Sequence, residues 1–246
     1  FSRFTVRSLV LLPWTAAPVS LLRPDGLCRL VLELGEESLC EICAVHPRFY
    51  EVVTTSDGED LELGGAGLCC EKTCELLLAG SGSLSFYDEE KPEKEIPFSG
   101  LLQQLGFDDT ASLLHVTPQY DDAYLKTLVD IMAETEPIDD AWTAHIKALQ
   151  QNLTHLKTPL QALITAKKDA FDRICQYIVY RHLEAAAPYP AGTLMHYASL
   201  NTTFIALSAA QTQDLLESLR RWSDQIEYDT DNVDLLLRAA ARVCSL

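Results

Sequence analysis

From Ile138 to Leu183 the apolar residues recur every three or four positions, and this pattern limits the fold more than any other feature. Ile138, Trp142, Ile146, Leu149, Leu153 and Leu156 fall on one side of a helix of 3.6 residues per turn. Thr158-Pro159 then reads as an N-cap followed by proline at the first helical position, so a second helix is expected to start there. Its apolar face runs Leu160, Leu163, Ile164, Phe171, Ile174, Ile178, Val179 and Leu183, and Pro188 and Pro190 are expected to end it. Further helices are expected at about 199–223 and 231–244. No segment shows sustained period-two alternation and none repeats another. The fold class is therefore mainly α, with a small, irregular, cysteine-rich region over 1–97 packed on an α-helical bundle over 98–246.

The two parts differ in composition. The first hundred residues are punctuated by Asp57-Gly58, Gly64-Gly65 and Gly80-Ser81-Gly82. Helical turns there are short, at Gly35–Cys43 and Glu71–Ala79. Asp88–Pro97 carries seven charged residues and two prolines and reads as the linker between the parts. Leu61-Glu62-Leu63-Gly64-Gly65-Ala66-Gly67 resembles the glycine loop of Rossmann-like S-adenosylmethionine methyltransferases, with a shorter echo at Val31–Gly35. Neither copy sits in a run of alternating strands and helices. The expected role of 61–67 is a flexible turn presenting the cysteines that follow it.

Hydrophobic residues make up 48% of the chain and charged residues 22%, the composition of a globular protein. The 36 acidic against 19 basic residues give a net charge of −17. That excludes nucleic acid as the expected partner, because phosphate backbones demand clustered Lys and Arg. No apolar run reaches the length of a membrane span, since Pro13 interrupts Leu9–Trp14. Residues 1–22 contain no secretion signal. A cytoplasmic location is expected, where thiols are kept reduced. The chain starts at Phe1 rather than at Met, the pattern of a piece of a longer protein.

Reduced thiols matter here because six of the eight cysteines lie within 26–78. Their spacing is Cys28-x11-Cys40-x2-Cys43-x25-Cys69-Cys70-x3-Cys74. Cys40-x-x-Cys43 is the short clip of zinc and iron–sulfur sites, in which one turn brings two sulfurs to one ion. Cys70, with Cys69 or Cys74, would supply a second clip, and Cys28 would complete four thiolates. Redox thiols and buried structural cysteines are the other readings. Disulfides would require an oxidising compartment. His46 is either a further ligand or a local packing residue. Arg48 either pairs with a carboxylate or binds an anion. Cys175 and Cys244 lie on helical faces and read as core.

Several segments together resemble the flagellin lysine N-methylase family. They are Asp25-Gly26-Leu27-Cys28-Arg29-Leu30, Leu34-Gly35-Glu36-Glu37-Ser38-Leu39, Cys43-Ala44-Val45-His46-Pro47-Arg48-Phe49-Tyr50 and Leu68-Cys69-Cys70-Glu71. Further on, Asp139-Asp140-Ala141-Trp142, Tyr180-Arg181-His182 and Gln225-Ile226-Glu227-Tyr228 also resemble it. The likeness covers roughly residues 20–246. The cysteine segment is similar to the broader zinc- or iron-chelating cysteine-cluster proteins as well. The family's cysteines carry over to Cys28, Cys43 and Cys70, and those of some members to Cys40 and Cys69. The family has a further cysteine where Val19-Ser20-Leu21 stands, and a cysteine-rich segment before it.

The resemblance implies a cytoplasmic bacterial enzyme that transfers methyl groups from S-adenosylmethionine to lysine amines of flagellin. It also implies an iron–sulfur cluster, with zinc as the alternative, on Cys28, Cys40, Cys43 and Cys70. Methyl transfer requires a neutral amine in line with the sulfonium methyl, which a carboxylate or phenol can deprotonate and orient. The expected catalytic residues are Glu227 and Tyr180, with Tyr228 and Asp140 as further candidates. No residue is assigned to the cofactor pocket. The competing reading is a non-catalytic metal-binding or interaction protein with a degenerate cysteine site.

Overall fold

The computed structural model describes residues 23, 27–88, 91–107, 115, 120–190 and 192–244. The readings made for 1–22, and for the Cys244 side chain, lie outside the described residues. The molecule is 65% helical and 12% strand, mainly α as the periodicity predicts. Contacts divide it into two compact units, Phe1–His46 and Pro47–Leu246. Among the described residues no helix is long and apolar enough to cross a membrane.

In the first unit, α1 (Arg29–Leu34) is followed by a single 3-10 turn (Glu36–Ser38) and by α2 (Glu41–Val45). Gly35 breaks the chain between α1 and the turn with φ +88°, a conformation that side chains resist. Ser38 Oγ donates to Gly35 O at 2.6 Å and closes this corner. No residue of α1 is buried, and Leu32 and Leu34 are exposed.

The second unit opens with strands that the sequence reading did not expect. β1 (Arg48–Thr54) pairs antiparallel with β2 (Asp60–Ala66), in register from Arg48↔Ala66 to Thr54↔Asp60. β1 does alternate, burying Phe49, Glu51 and Val53. The alternation is invisible in residue type, because a glutamate occupies a buried position while Tyr50 and Val52 face outward. After α3 (Glu71–Ala79), β3 (Ser85–Asp88) pairs with β4 (Lys91–Pro97). The segment expected to be a charged linker is thus largely a strand. Ile96, opposite Phe86, packs with it against the core, while Lys91, Glu93, Lys94 and Glu95 stay in solvent.

Helices form the rest: α4 (Phe98–Gln104), α5 (Asp122–Met132), α6 (Asp140–Ala166), α7 (Lys168–Arg181), α8 (Leu183–Ala186), α9 (Thr193–Thr212), α10 (Leu215–Trp222) and α11 (Thr230–Cys244). A π-turn, Ser223–Glu227, joins the last two. Helix α9 is the axis. Every residue from Leu200 to Ala209 is buried, and α6, α7, α10 and α11 all pack on it. A helix buried on all sides needs no polar face.

Two predicted boundaries moved. The helix expected to begin at Pro159 does not; α6 runs through it to Ala166, and the break falls at Lys167. Proline there forfeits one helical hydrogen bond, at a cost of about 3 kcal/mol. The stripe Leu149, Leu156, Leu160 and Ile164 nevertheless stays in phase and buried across it, and that burial outweighs the lost bond. The following helix ends at Arg181, before the prolines, with α8 as a separate turn.

Helix α7 ties the amino-terminal elements of this unit to the bundle, and does so with polar side chains. Arg173 Nε donates to Leu77 O at 2.8 Å and Nη2 to Leu78 O at 3.1 Å, satisfying carbonyls at the end of α3. Gln176 Oε1 accepts from Leu84 N at 2.8 Å. Every residue from Ala170 to Tyr180 is buried, Asp172, Arg173 and Gln176 included.

Candidate metal and catalytic site

Of the family-like segments in the second unit, Pro47–Tyr50, Leu68-Cys69, Tyr180-Arg181 and Gln225–Tyr228 converge on one buried network, and Asp139–Trp142 lies apart from it. Glu227, whose side chain is fully buried, sits at the end of the π-turn. Its Oε1 accepts from Tyr177 Oη at 2.7 Å and Arg181 Nε at 3.0 Å. Its Oε2 accepts from Ser223 Oγ at 2.6 Å and Leu68 N at 3.3 Å. Both carboxylate oxygens are therefore engaged, with partners from α7, the π-turn and the segment just before Cys69-Cys70. The π-turn matters because it adds a residue to the turn and re-aims the chain.

Arg181 extends the network to the first hairpin. Its Nη1 donates to Glu51 Oε1 at 2.5 Å, and its guanidinium lies 4.4 Å from the centre of the Phe49 ring. Glu51 Oε2 accepts from Glu184 N at 3.4 Å, and Glu184 Oε2 accepts from Val52 N at 2.9 Å. Burial raises the Glu51 carboxyl to about 7, against the opposing pull of Arg181. Burial also pushes the Tyr177 phenol well up, with the Glu227 charge adding to it. Tyr177 thus remains a hydrogen-bond donor.

Tyr180 donates to Gly64 O at 2.8 Å and stacks on Phe86 with ring centres 4.4 Å apart. Burial, then the Glu51 charge, raises its phenol to about 12. Tyr228 donates to Pro47 O at 3.1 Å and hydrogen-bonds with Cys69. Burial raises its phenol, and the bond to Cys69 adds to the rise. Asp140 lies exposed in the first turn of α6, next to the capping residue Asp139.

This network explains the glycines of the 61–67 motif. Gly64 and Gly65 belong to β2 rather than to a flexible turn, and Gly67 directly follows the strand. A Cβ on Gly65 would sit 2.6 Å from Phe49 Cζ, and one on Gly67 only 1.9 Å from Tyr228 Oη. The glycines make room for aromatic rings, a packing role that the cofactor-loop spacing mimics.

The cysteines fall into two groups. In the first unit Cys28 caps α1, Cys40 O accepts from Ala44 N at the start of α2, and Cys43 lies in that helix. The Cys40 and Cys43 thiols are hydrogen-bonded, and this contact raises Cys43, with a smaller contribution from Cys28. His46 and Arg48 are exposed. In the second unit Cys70 is the N-cap of α3. The backbone N–H and the hydroxyl of Thr73 lower its titration toward the thiolate. Cys69 is pushed up by burial. Cys74 is buried, raised to about 12 by burial, and donates from sulfur to Leu68 O at 2.9 Å. Cys175 is core, as expected. The cysteines described are free thiols.

Cysteine sulfur is a donor for a soft metal, and Cys40 and Cys43 are in contact within the first unit. Among the described residues, though, no three Cys, His, Asp or Glu side chains converge as a group able to hold an ion. The sequence reading named Glu227, Tyr180 and Tyr228 but did not assign roles to Tyr177, Arg181, Glu51 or Ser223. Arg181 was legible only as part of Tyr180-Arg181-His182. The other three carry no local signal, because their importance comes from burial. The chain matches no protein-family model, no curated protein and no solved structure in the comparisons made.

Proposed function

We propose that the chain is a lysine N-methyltransferase of the flagellin-modifying type, using S-adenosylmethionine and carrying a cysteine-ligated iron–sulfur or zinc site. One observation carries this reading. Tyr180-Arg181, Gln225 to Tyr228, Pro47 to Tyr50 and Leu68-Cys69 are far apart in sequence, and all resemble the same family. They are joined through Glu227, Tyr228 and Arg181 by direct hydrogen bonds. Shared residues at scattered positions that also share one network are what a common fold requires. Cys28, Cys40, Cys43 and Cys70 are the proposed ligands, and the metal they would hold supplies a thiolate-bound centre.

Within this reading Glu227 and Tyr180 act by position. Glu227 spends both oxygens on its partners, and Tyr180 holds the β2 backbone. They fix the hairpin and the Cys69-Cys70 segment, and neither is free to take a proton from an amine in this arrangement. The reaction itself demands deprotonation of the lysine ammonium and in-line attack of its lone pair on the sulfonium methyl. A non-catalytic metal-binding or interaction protein is the second reading. It is favoured by the same full occupancy of Glu227 and by the absence of a glycine cofactor loop at 61–67.

The deciding experiment incubates anaerobically purified, metal-analysed protein with flagellin and S-adenosylmethionine labelled in its methyl group. Label on flagellin lysines supports the enzyme; no transfer by metal-loaded protein leaves the binding reading. Brown protein with visible absorption identifies iron–sulfur, and colourless protein with stoichiometric zinc identifies a zinc site.

A further inference from the structure

Cys40 and Cys43 have a chemistry of their own, independent of the Glu227 network. Ala44 N donates to Cys40 O at 2.9 Å, which closes one helical turn, and Cys43 lies on that turn in α2. Residues three apart on such a turn have Cα atoms about 5 Å apart. A disulfide spans Cα separations of about 4.4–6.8 Å. The two thiols are hydrogen-bonded to each other, and both are exposed. Bonds within a single turn therefore hold the sulfurs together, where a dissolved reagent reaches them.

Among the described thiols, only these two are exposed. Cys74 and Cys175 are buried. Cys69 is half-buried and hydrogen-bonds with Tyr228. Cys70 caps α3 in the second unit and bonds with Thr73. Cys28 is the rival to weigh, because its charge is felt at Cys43. It is half-buried at the cap of α1, and the corner at Gly35 separates it from Cys40. No shared turn fixes its approach.

We propose that Cys40 and Cys43 are a reversible redox pair whose oxidant is a small-molecule disulfide such as oxidised glutathione. One cysteine, as thiolate, attacks a sulfur of the small disulfide, expels one small thiol and leaves a mixed disulfide. The other cysteine then attacks the protein sulfur of that mixed disulfide and expels the second small thiol. The small disulfide bond breaks and the Cys40–Cys43 bond forms. Two electrons pass from the protein pair to the small disulfide, and the two thiol protons leave on the two small thiols. Excess small thiol runs both steps backwards. A closed pair has no thiolate to offer a metal, so closure withdraws two of the ligands proposed above. Only that consequence rests on the metal reading.

The test exposes the whole reduced, metal-free protein to oxidised glutathione, quenches it with acid, alkylates the remaining thiols and digests it with trypsin. Cleavage after Arg29 and Arg48 releases 30–48, which holds Cys40 and Cys43 and no other cysteine. The expected product is this peptide without alkyl groups and lighter by two hydrogens, restored by dithiothreitol. It should exceed the mixed disulfide at least about tenfold at equilibrium, because the second step is intramolecular. Cys40→Ser, at an exposed position, should stop at one glutathione on Cys43. A 30–48 peptide that carries only glutathione overturns the proposal, as does a disulfide from Cys40 or Cys43 to Cys28 or to any other cysteine. Zinc added beforehand tests the consequence separately. Closure slowed at least about tenfold supports these sulfurs as ligands; an unchanged rate overturns their ligand role and leaves the redox pair standing on the peptide result.

Discussion

Arg181 stands between Glu51 and Glu227, so one guanidinium serves two carboxylates inside the protein. That arithmetic makes Glu51 the weak member. Its carboxyl is raised from 4.5 to about 7 by burial. A carboxyl whose folded value is raised contributes stability that is fully present below the unfolded value and lost as pH rises through the folded one. Wild-type stability should therefore fall between about pH 5 and pH 8, and the Glu51 share of that fall is at most about 3 kcal/mol. In Glu51→Gln this share of the slope should vanish, as measured by urea unfolding across the pH range. Gly67 is the second informative residue. Adding a methyl group there places it 1.9 Å from Tyr228 Oη, so Gly67→Ala should destabilise by about 1–3 kcal/mol. Tyr228→Phe removes the clashing oxygen. The double variant should recover part of that loss, a non-additivity visible in a double-mutant cycle. Both residues stood out in the sequence for other reasons, Gly67 in a spacing that resembles a cofactor loop and Tyr228 as a candidate base. Residue type reveals chemistry, but not which neighbour the chemistry is spent on.

At the scale of elements, helix periodicity was a reliable guide and local punctuation was not. Trp142, Ile146, Leu149 and Leu156 are all buried, as their spacing requires. Thr158-Pro159 looked like a helix start because proline favours that position, yet an uninterrupted apolar stripe held α6 together across it. Pro159 is exposed in mid-helix. Pro159→Ala restores a donor to His155 O and removes the ring clash, so it should stabilise the protein by about 1–3 kcal/mol, read as a rise in Tm. The hairpins were missed for a related reason. Strand patterns become legible when polar residues face out and apolar residues face in. In β1 the inward Glu51 and outward Tyr50 and Val52 blur that contrast, and in β4 most side chains are charged and solvent-facing. Helix α7 shows the same effect in a helix. Its buried Asp172, Arg173 and Gln176 break the apolar face because they serve the backbone and side chains of other elements.

For the whole molecule, the distribution of core is the decisive quantity. Among the described residues, the buried apolar ones run from Phe49 to Ala240, all within Pro47–Leu246. The 47–246 piece should therefore fold without the residues before it, giving cooperative unfolding with a Tm within a few degrees of the full chain. The peptide 27–46, with no buried helix face in α1, should show little helix by circular dichroism unless metal is added. Unfolding scans of both pieces, with and without zinc, check this. The sequence alone determined the mainly helical class, the core faces of α6 and α7, and the clustering of thiols, because each follows from periodicity or composition along one stretch of chain. Only the tertiary structure decided that Glu227 and Arg181 lock a hairpin to the bundle, that Gly65 and Gly67 make room for Phe49 and Tyr228, and that the Trp142 indole N–H is buried without a partner. The physical reason is that burial and hydrogen-bond pairing are relations between distant residues. No window of sequence contains both partners.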